Sequence, residues 1–296
     1  MKSSLRKIRF IVNPASGSIR SRSKGIEQLI EQHLDKKLFD PEIIFSPAPS
    51  MLQTLSREAA DQGIDVVVAV GGDGSVNGVA RGLIGSKAIL GIIPMGSGNG
   101  LARHLNIPMN AARAIEILNS GKTILIDTIS INDNQFVSIA GVGFDALVAD
   151  RFAQSGSRGL LTYLKIVTRT YPFYKPQKYL LDIDGEMVKR RALFISFANS
   201  DQFGYNFSIA PTADITDGLM DVCIVQKIPI FKAPQIAHLL LAKKIDKSNY
   251  VEIIKAKQVF LCRGKNEVIN IDGEPVFLSR NLSLKVNHLA LRVVIP

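Results

Sequence analysis

Residues 65–86 read DVVVAVGGDGSVNGVARGLIGS, a β-branched run, a turn with glycine at 71, 72 and 74, and then apolar residues at helical spacing. Unbroken hydrophobic character from Val66 to Val70 predicts a strand covered on both faces, as in a parallel sheet flanked by helices. The same unit recurs on either side. KIRFIV (7–12), PEIIF (41–45) and ILGIIPM (89–95) read as strands. SKGIEQLIEQHLDKKL (23–38), SMLQTLSREAADQG (50–63), SVNGVARGLIGS (75–86) and NAARAIEILNSG (110–121) read as helices, the first with Leu29, Ile30 and Leu34 on one stripe. Alternation of this kind predicts a mostly parallel α/β domain.

Beyond Thr123 the texture changes. TILIDTISIN, QFVSIAGVGF, KYLLDID, RALFISFANS, LMDVCIVQ, QVFLCRG and VINIDGEPVF follow one another as strand-like runs separated by turn residues. They predict an antiparallel second domain, a sandwich or a partly opened barrel, interrupted by helices around GLLTYLKIVTRTY and PQIAHLLLAKKI. A boundary near residues 122–130 follows from the change of period, consistent with two domains in 296 residues.

Composition narrows the class. Hydrophobic residues make up 46% and charged residues 21% of the chain, values that support buried cores rather than disorder. Cys223 and Cys262 lie in apolar runs without metal-ligand spacing, so both are expected as thiols of a reducing compartment, the cytoplasm. The apolar stretch IRFIV is too short for a signal peptide, and no run approaches the roughly 20 residues of a membrane span. Lysine and arginine outnumber acids by 36 to 26. Residues 151–191 carry nine basic and three acidic side chains, and residues 226–265 carry nine and two. Such surpluses are most often a solvated basic face, and functionally they suit the anionic surface of a membrane. No aromatic-interleaved RNA motif, zinc finger or helix-turn-helix pattern is present, so nucleic acid is not an expected partner.

Three strands of the first half end in glycine-rich turns: Asn13-Pro14-Ala15-Ser16-Gly17, Gly71-Gly72-Asp73-Gly74-Ser75-Val76-Asn77 and Pro94-Met95-Gly96-Ser97-Gly98-Asn99-Gly100. Ligands of parallel sheets bind beside the carboxyl ends of the strands, where all three turns are expected to converge. Glycine brings main-chain amides close to a ligand, while Ser and Asn add donors, a surface suited to phosphate. The sequence G-x-x-x-x-G-K-[ST] is absent, GSGNGLA misses the G-x-G-x-x-G spacing, and neither HRD nor DFG occurs. The expected phosphate site is therefore of another type.

NPASG, GGDGSVN, GSGNGLAR, GVGFDA, APTADITDGLMDV and IDGEP resemble, in that order, motifs of the diacylglycerol kinase catalytic-domain superfamily, especially its soluble bacterial lipid kinases. The resemblance spans about residues 7 to 277. It implies an N-terminal three-layer α/β domain that binds ATP (1–127, joined by a C-terminal strand at 288–296) and a C-terminal β-sandwich that binds lipid (128–287), with the active site between them. It also implies nucleotide contacts from Asn13 to Gly17, Ser46, Gly72 to Asn77 and Ser97. Asp217, with main-chain oxygens of Asp214 and Leu219, matches a family magnesium site. Glu274 matches the family's proton acceptor, and Asp145 matches a carboxylate near metal or acceptor. Three positions depart: Ser75 replaces a threonine, Gly78 a common glutamate, and Gly100 the aspartate of many diacylglycerol kinases, the last as in the sphingoid-base and ceramide kinase branch.

Within that resemblance, the amides of Gly72 to Ser75 and Gly96 to Gly98 are expected to hold the phosphates of ATP. Mg²⁺ needs hard oxygen ligands, for which Asp73, Asp145 and Asp272 are the candidates. Glu274 is the expected base toward the lipid hydroxyl and Asp73 its rival. Alone, the Asp272-Gly273-Glu274 run would read as a hairpin turn followed by an exposed acid. The four histidines, His33, His104, His238 and His288, show no ligand spacing. GLLTYLKIVTRTYPFYKPQK mixes leucines and aromatics with Lys165, Arg169, Lys175 and Lys178, as an interfacial element would, or a core helix with a basic outer face. The expected partners are a membrane-derived lipid and an anionic membrane surface, with a homodimer left open. NAD kinase, which shares the GGDG turn, and a non-catalytic lipid- or nucleotide-binding regulator are the alternatives.

Overall fold

A computed structural model describes residues 5–14, 23–156, 159–204 and 206–296. The chain divides into two compact units, Met1–Ile126 with Leu289–Pro296, and Asp127–His288.

In the first unit, β1 (Arg6–Val12), α1 (Ser23–His33), β2 (Phe39–Phe45), α2 (Leu52–Asp61), β3 (Val66–Gly71), α3 (Asp73–Leu83), β4 (Ile89–Pro94), α4 (Gly100–His104) and α5 (Ala111–Ser120) follow the expected alternation. The strands lie in the order β2-β1-β3-β4, all parallel, and Arg292 and Val293 of the chain's last strand add a parallel fifth beside β4. Every residue of β3 is buried, as its unbroken apolar run requires. Helix α1 packs with α5, and α2 packs with α3. The α2–α3 contact depends on glycine. A Cβ at Gly78 would lie 3.0 Å from Cβ of Leu52, and one at Gly82 would lie 2.5 Å from the carbonyl oxygen of Gln53. Gly78 thus lies on the face of α3 that meets α2, where a glutamate would be wedged against Leu52.

The second unit begins within β5 (Thr123–Ile131), which forms a hairpin with β6 (Asn134–Phe136). It continues with β7 (Ile139–Gly143), α6 (Phe144–Gln154), α7 (Leu160–Thr170), β8 (Gln177–Ile183), β9 (Glu186–Ala192) and β10 (Phe194–Ala198). β11 (Met220–Val225), α8 (Ala233–Leu241), β12 (Val251–Ala256), β13 (Gln258–Cys262), β14 (Glu267–Ile271), β15 (Glu274–Leu278) and β16 (Asn281–Val294) complete it. One antiparallel sheet has the order β12-β11-β10-β7-β14-β15. In the other, the first part of β16, β13, β8 and β9 are neighbours. Leu181, Leu261 and Leu284 of this sheet share one core with Val142, Phe197, Val222 and Ile269 of the first, so the unit is a β-sandwich, as expected.

Strands β9 and β12, helix α6 and the first half of β16, expected to begin only at 288, escape the sequence pattern. Strand β9 reads EMVKRRA and buries only Val188 and Ala192, so its alternation is lost among charges. Strand β12 is an edge strand whose face is mostly half-buried. Helix α6 buries Phe144, Asp145, Ala146, Val148 and Ala149, leaving no clear polar stripe in its first half. Cys223 and Cys262 are free thiols, and burial raises the Cys223 thiol well above its ordinary range.

Candidate active site

In the first unit the strand ends form one row. Ser46 donates its amide to Val12, Asn13 to Val70, and Met95 to Gly71, so the ends of β2, β1, β3 and β4 are stitched in sheet order. Three side-chain and steric contacts then gather the turns above that row. Nδ2 of Asn13 donates to Oγ of Ser75 at 2.9 Å, joining the first turn to the second. Gly72 and Gly96 meet backbone to backbone: a Cβ at Gly96 would lie 2.4 Å from Cα of Gly72, which leaves room for glycine alone. Asp73 closes the group, its carboxylate accepting the amides of Asn99 at 2.8 Å and Gly100 at 2.6 Å.

The third turn is further braced by Asn99, held at φ 57°, whose Oδ1 accepts the Gly96 amide and whose Nδ2 donates to the Gly96 carbonyl. Arg103 donates Nε to the carbonyl of Gly98. Burial raises the Asp73 carboxyl above its ordinary range, and the two amides partly offset the shift. Asp73, Gly74 and Ser75 open α3, and amides in the first turn of a helix have no intrahelical acceptor. With the helix dipole they form a natural anion site.

Two observations fit a nucleotide here. Oδ1 of Asn77 is buried without a hydrogen-bond partner, an acceptor that a ligand's donor could satisfy. A cavity of about 610 Å³ opens beside the third turn, lined by Pro94, Met95, Gly96, Asn99, Arg103 and Met109 among others. Ser97 is exposed on the turn, and Gly98 is half-buried. Ser46 is buried and donates its hydroxyl to the carbonyl of Ala48. Pro14 is half-buried in the first turn, while Ser16 and Gly17 lie outside the described residues.

In the second unit, Asp272 and Gly273 form the two-residue turn between β14 and β15, with φ 46° and 87° and Ile271 paired to Glu274. The Asp272 carboxylate accepts the amides of Val137, Ser138 and Ile139 at 2.8–3.0 Å. It is an anchor that ties the turn to the start of β7. Glu274 is exposed at the start of β15. Asn270 links the turn to helix α6: its Oδ1 accepts the Gly273 amide and its Nδ2 donates to Asp145 at 2.9 Å. Burial pushes the Asp145 carboxyl up to about 6, against the opposing bond from Asn270.

The loop expected to hold magnesium is closed by hydrogen bonds of its own acids. Asp214 accepts the amide and hydroxyl of Thr216, while Oδ1 of Asp217 accepts the Leu219 amide at 2.9 Å. Oδ2 of Asp217 is bonded to Nζ of Lys255 at 2.7 Å, and Lys255 also lies 3.6 Å from Asp221 and donates to the carbonyl of Thr212. Lys255 thus supplies the positive charge beside Asp217 and Asp221. Lys255→Met would leave Asp221, buried to 1% exposure, without its countercharge. With Lys255 itself partly solvated, the expected cost is about 2 kcal/mol, read as a lower urea midpoint at pH 8. An unchanged midpoint would show that the lysine is not the loop's cation.

Sequence reading missed four positions in these networks. Lys255 and Asn270 carry no local motif signal. Asn99 lies within the third turn, but its left-handed backbone was not read there. Asp127 could have been found as the lone acid of the apolar run ILIDTI: fully buried, it accepts the Gly218 amide at 2.7 Å and pairs with Nδ1 of His288 at 2.8 Å.

Residues 7–131 match the model of the diacylglycerol kinase catalytic domain, and residues 138–295 match that of the YegS C-terminal NAD kinase beta sandwich-like domain. Among curated proteins, a diacylglycerol kinase of Mycobacterium tuberculosis is 31% identical over 231 residues, covering 74% of this chain and 73% of its own. That of Bacillus subtilis is 25% identical over 275 residues, covering 91% and 90%. A crystal structure of a diacylglycerol kinase from Bacillus anthracis superposes with a TM-score of 0.76 at 18% identity, covering 100% of this chain and 98% of that one, a likeness of fold.

Proposed function

Since the chain belongs to the diacylglycerol kinase family and is an ATP-dependent lipid kinase, we propose that its acceptor is the free hydroxyl of a membrane glycerolipid of the diacylglycerol type. The names of its relatives support this class. The observation that carries the donor side is the joining of the second and third glycine turns through the Gly72–Gly96 contact and the Asp73 carboxylate, with Asn13 of the first turn bonded to Ser75.

The first unit holds ATP. Amides at the start of α3 and in the 96–98 turn bind its phosphates, and Asn77 offers an acceptor to the nucleotide. Asp73 acts by fixing the third turn, which leaves Glu274 as the base. Phosphoryl transfer demands mainly positioning and charge stabilisation, and a base must only receive the hydroxyl proton as the oxygen attacks the γ-phosphorus. Exposed Glu274 can do so, whereas Asp272 is spent on three amides. Asp145 positions the Glu274 turn through Asn270. Mg²⁺ accompanies ATP as the nucleotide's own counterion, supplying phosphate charge neutralisation when bound.

The second unit presents the lipid, and the protein works at the cytoplasmic face of an anionic membrane. The test is transfer of γ-labelled phosphate from ATP to a panel of detergent-dispersed diacylglycerol, phosphatidylglycerol, sphingoid base and monoacylglycerol, with NAD as a further acceptor. Labelled phosphatidic acid is the expected product, and Glu274→Gln is expected to lower its rate by about 10²-fold. Labelling of another acceptor in preference to diacylglycerol would overturn the substrate assignment, and an unimpaired variant would remove Glu274 from the reaction.

A further inference from the structure

In the second unit a cavity of about 830 Å³ opens where the turn between β8 and β9, the bend between β12 and β13, the loop before β11 and the middle of β16 meet. Its size falls in the range of about 300–1,000 Å³ typical of small-molecule sites. None of its lining residues belongs to the glycine turns or to the network of Asp145, Asn270 and Glu274.

The floor is built on a buried acid. Asp127, with no exposed surface, accepts the Gly218 amide at 2.7 Å and holds Nδ1 of His288 at 2.8 Å, so one carboxylate fixes two lining residues from separate segments. Gly218 has φ 75°, and a Cβ there would lie 3.1 Å from Nδ1 of His288, so the loop passes the imidazole closely as glycine. The β12–β13 bend is held as firmly. The Asp184 carboxylate accepts the amides of Lys257 and Gln258, each at 2.9 Å, and the Lys257 carbonyl accepts the Val286 amide at 3.0 Å.

The charges around this floor do not balance. Of the two lining acids, Asp184 is occupied by those amides, and Asp217 by the Leu219 amide and the Lys255 ammonium. The two lining lysines, Lys257 and Lys285, meet no carboxylate among the described residues. Gln258 and Lys285 stand directly opposite in the β13–β16 ladder and Lys257 precedes Gln258, so two ammoniums and an amide border one opening. Lysine ammoniums bind phosphate as point charges, through hydrogen bonds that the charges strengthen. The cavity is much larger than one phosphate group, which leaves room for an organic body bearing it.

We infer that the cavity bordered by Lys257 and Lys285 is a second phosphate site, one that takes a small organic phosphomonoester. It shares no residue with the ATP site and does not depend on which lipid is the acceptor. Soluble metabolites and phosphorylated lipids both carry this group, and the test separates them.

The full chain, with ADP and magnesium in excess to fill the glycine turns, is titrated calorimetrically with glycerol 3-phosphate and, separately, with dihexanoyl phosphatidic acid below its micellar concentration. Saturable binding to wild type is expected, weakened at least about tenfold in the Lys257→Gln, Lys285→Gln double variant. Preference for either compound upholds the site and names the source of its ligand. Both lysines are exposed, so the variant folds, and its transfer of phosphate to detergent-dispersed lipid stays at the wild-type rate. No saturable binding of either compound to wild type, or undiminished binding by the variant, overturns the site. Equal weakening by Lys175→Gln with Lys178→Gln, two exposed lysines outside the cavity, would reduce the effect to net charge and overturn it likewise.

Discussion

Asp73→Asn is expected to lower phosphoryl transfer by about 10³-fold while leaving the chain folded. Its carboxylate accepts two amides of the third glycine turn, Asn99 and Gly100. Hydrogen bonds to a charged group contribute about 2 kcal/mol each. An asparagine keeps one acceptor oxygen and turns an N–H₂ group toward the other amide, so one bond is lost and one donor faces a donor. If the released strain appears at the phosphates, about 4 kcal/mol corresponds to about 10³-fold in rate. Burial raises the Asp73 carboxyl, so the wild-type rate should begin to fall on acidification at a higher pH than an ordinary aspartate would impose. A pH–rate profile checks this, since the variant lacks that limb. Wild-type rates in Asp73→Asn would mean that the turns hold their arrangement without the carboxylate.

The second large effect is a gain in stability. Asp145 is buried and its carboxyl is pushed up to about 6 from an ordinary 3.8. Between those values the folded chain retains a proton that the unfolded chain releases, so stability falls as pH rises through the window, and the full penalty applies above about 6. Asp145→Asn removes the ionisation while its amide oxygen still accepts from Asn270. The variant should therefore unfold at higher urea at pH 8, by about 2–3 kcal/mol, with the difference disappearing below pH 4. Because the bond to Asn270 survives, the turn bearing Glu274 keeps its place and activity should remain within about tenfold. A variant less stable than wild type at pH 8 would show that Asp145 is ionised and well solvated in the folded chain.

How much of this was written in the sequence depends on the range of the interaction. The strands and helices of the first unit were legible because buried β-branched runs and 3.6-residue periodicity are local signals, as in Val66–Val70 and in Leu29, Ile30 and Leu34. The glycine turns were legible as phosphate-binding chemistry, since glycine and small hydroxyl residues at strand ends have few other uses in combination. What joined them was not. The Asp73 carboxylate reaches residues 26 and 27 positions away, and the Gly72–Gly96 contact depends on the register of β3 with β4.

In the second unit, IDGEP announced a hairpin and an acid, but the division of labour within it was hidden. Asp272 is consumed by three amides from Val137 to Ile139, more than 130 residues earlier, and only its partners distinguish it from Glu274. Lys255 likewise comes to Asp217 from the neighbouring strand, through the pairing of Asp221 with Lys255. Gly78 could be noticed as a departure, yet its cause is the side chain of Leu52 on another helix.

Calorimetric titration of ATP and magnesium into wild type and Gly96→Ala examines the fused turns most directly. Gly96 has room for no Cβ, so the alanine must force the second and third turns apart by overpacking, a local cost of about 1–3 kcal/mol that a two-unit chain can survive. Saturable binding to wild type, weakened at least about 100-fold in a variant that still unfolds cooperatively, is the expected result. Equal affinity in the two proteins, or no heat of binding in wild type, would contradict a phosphate site built from those turns.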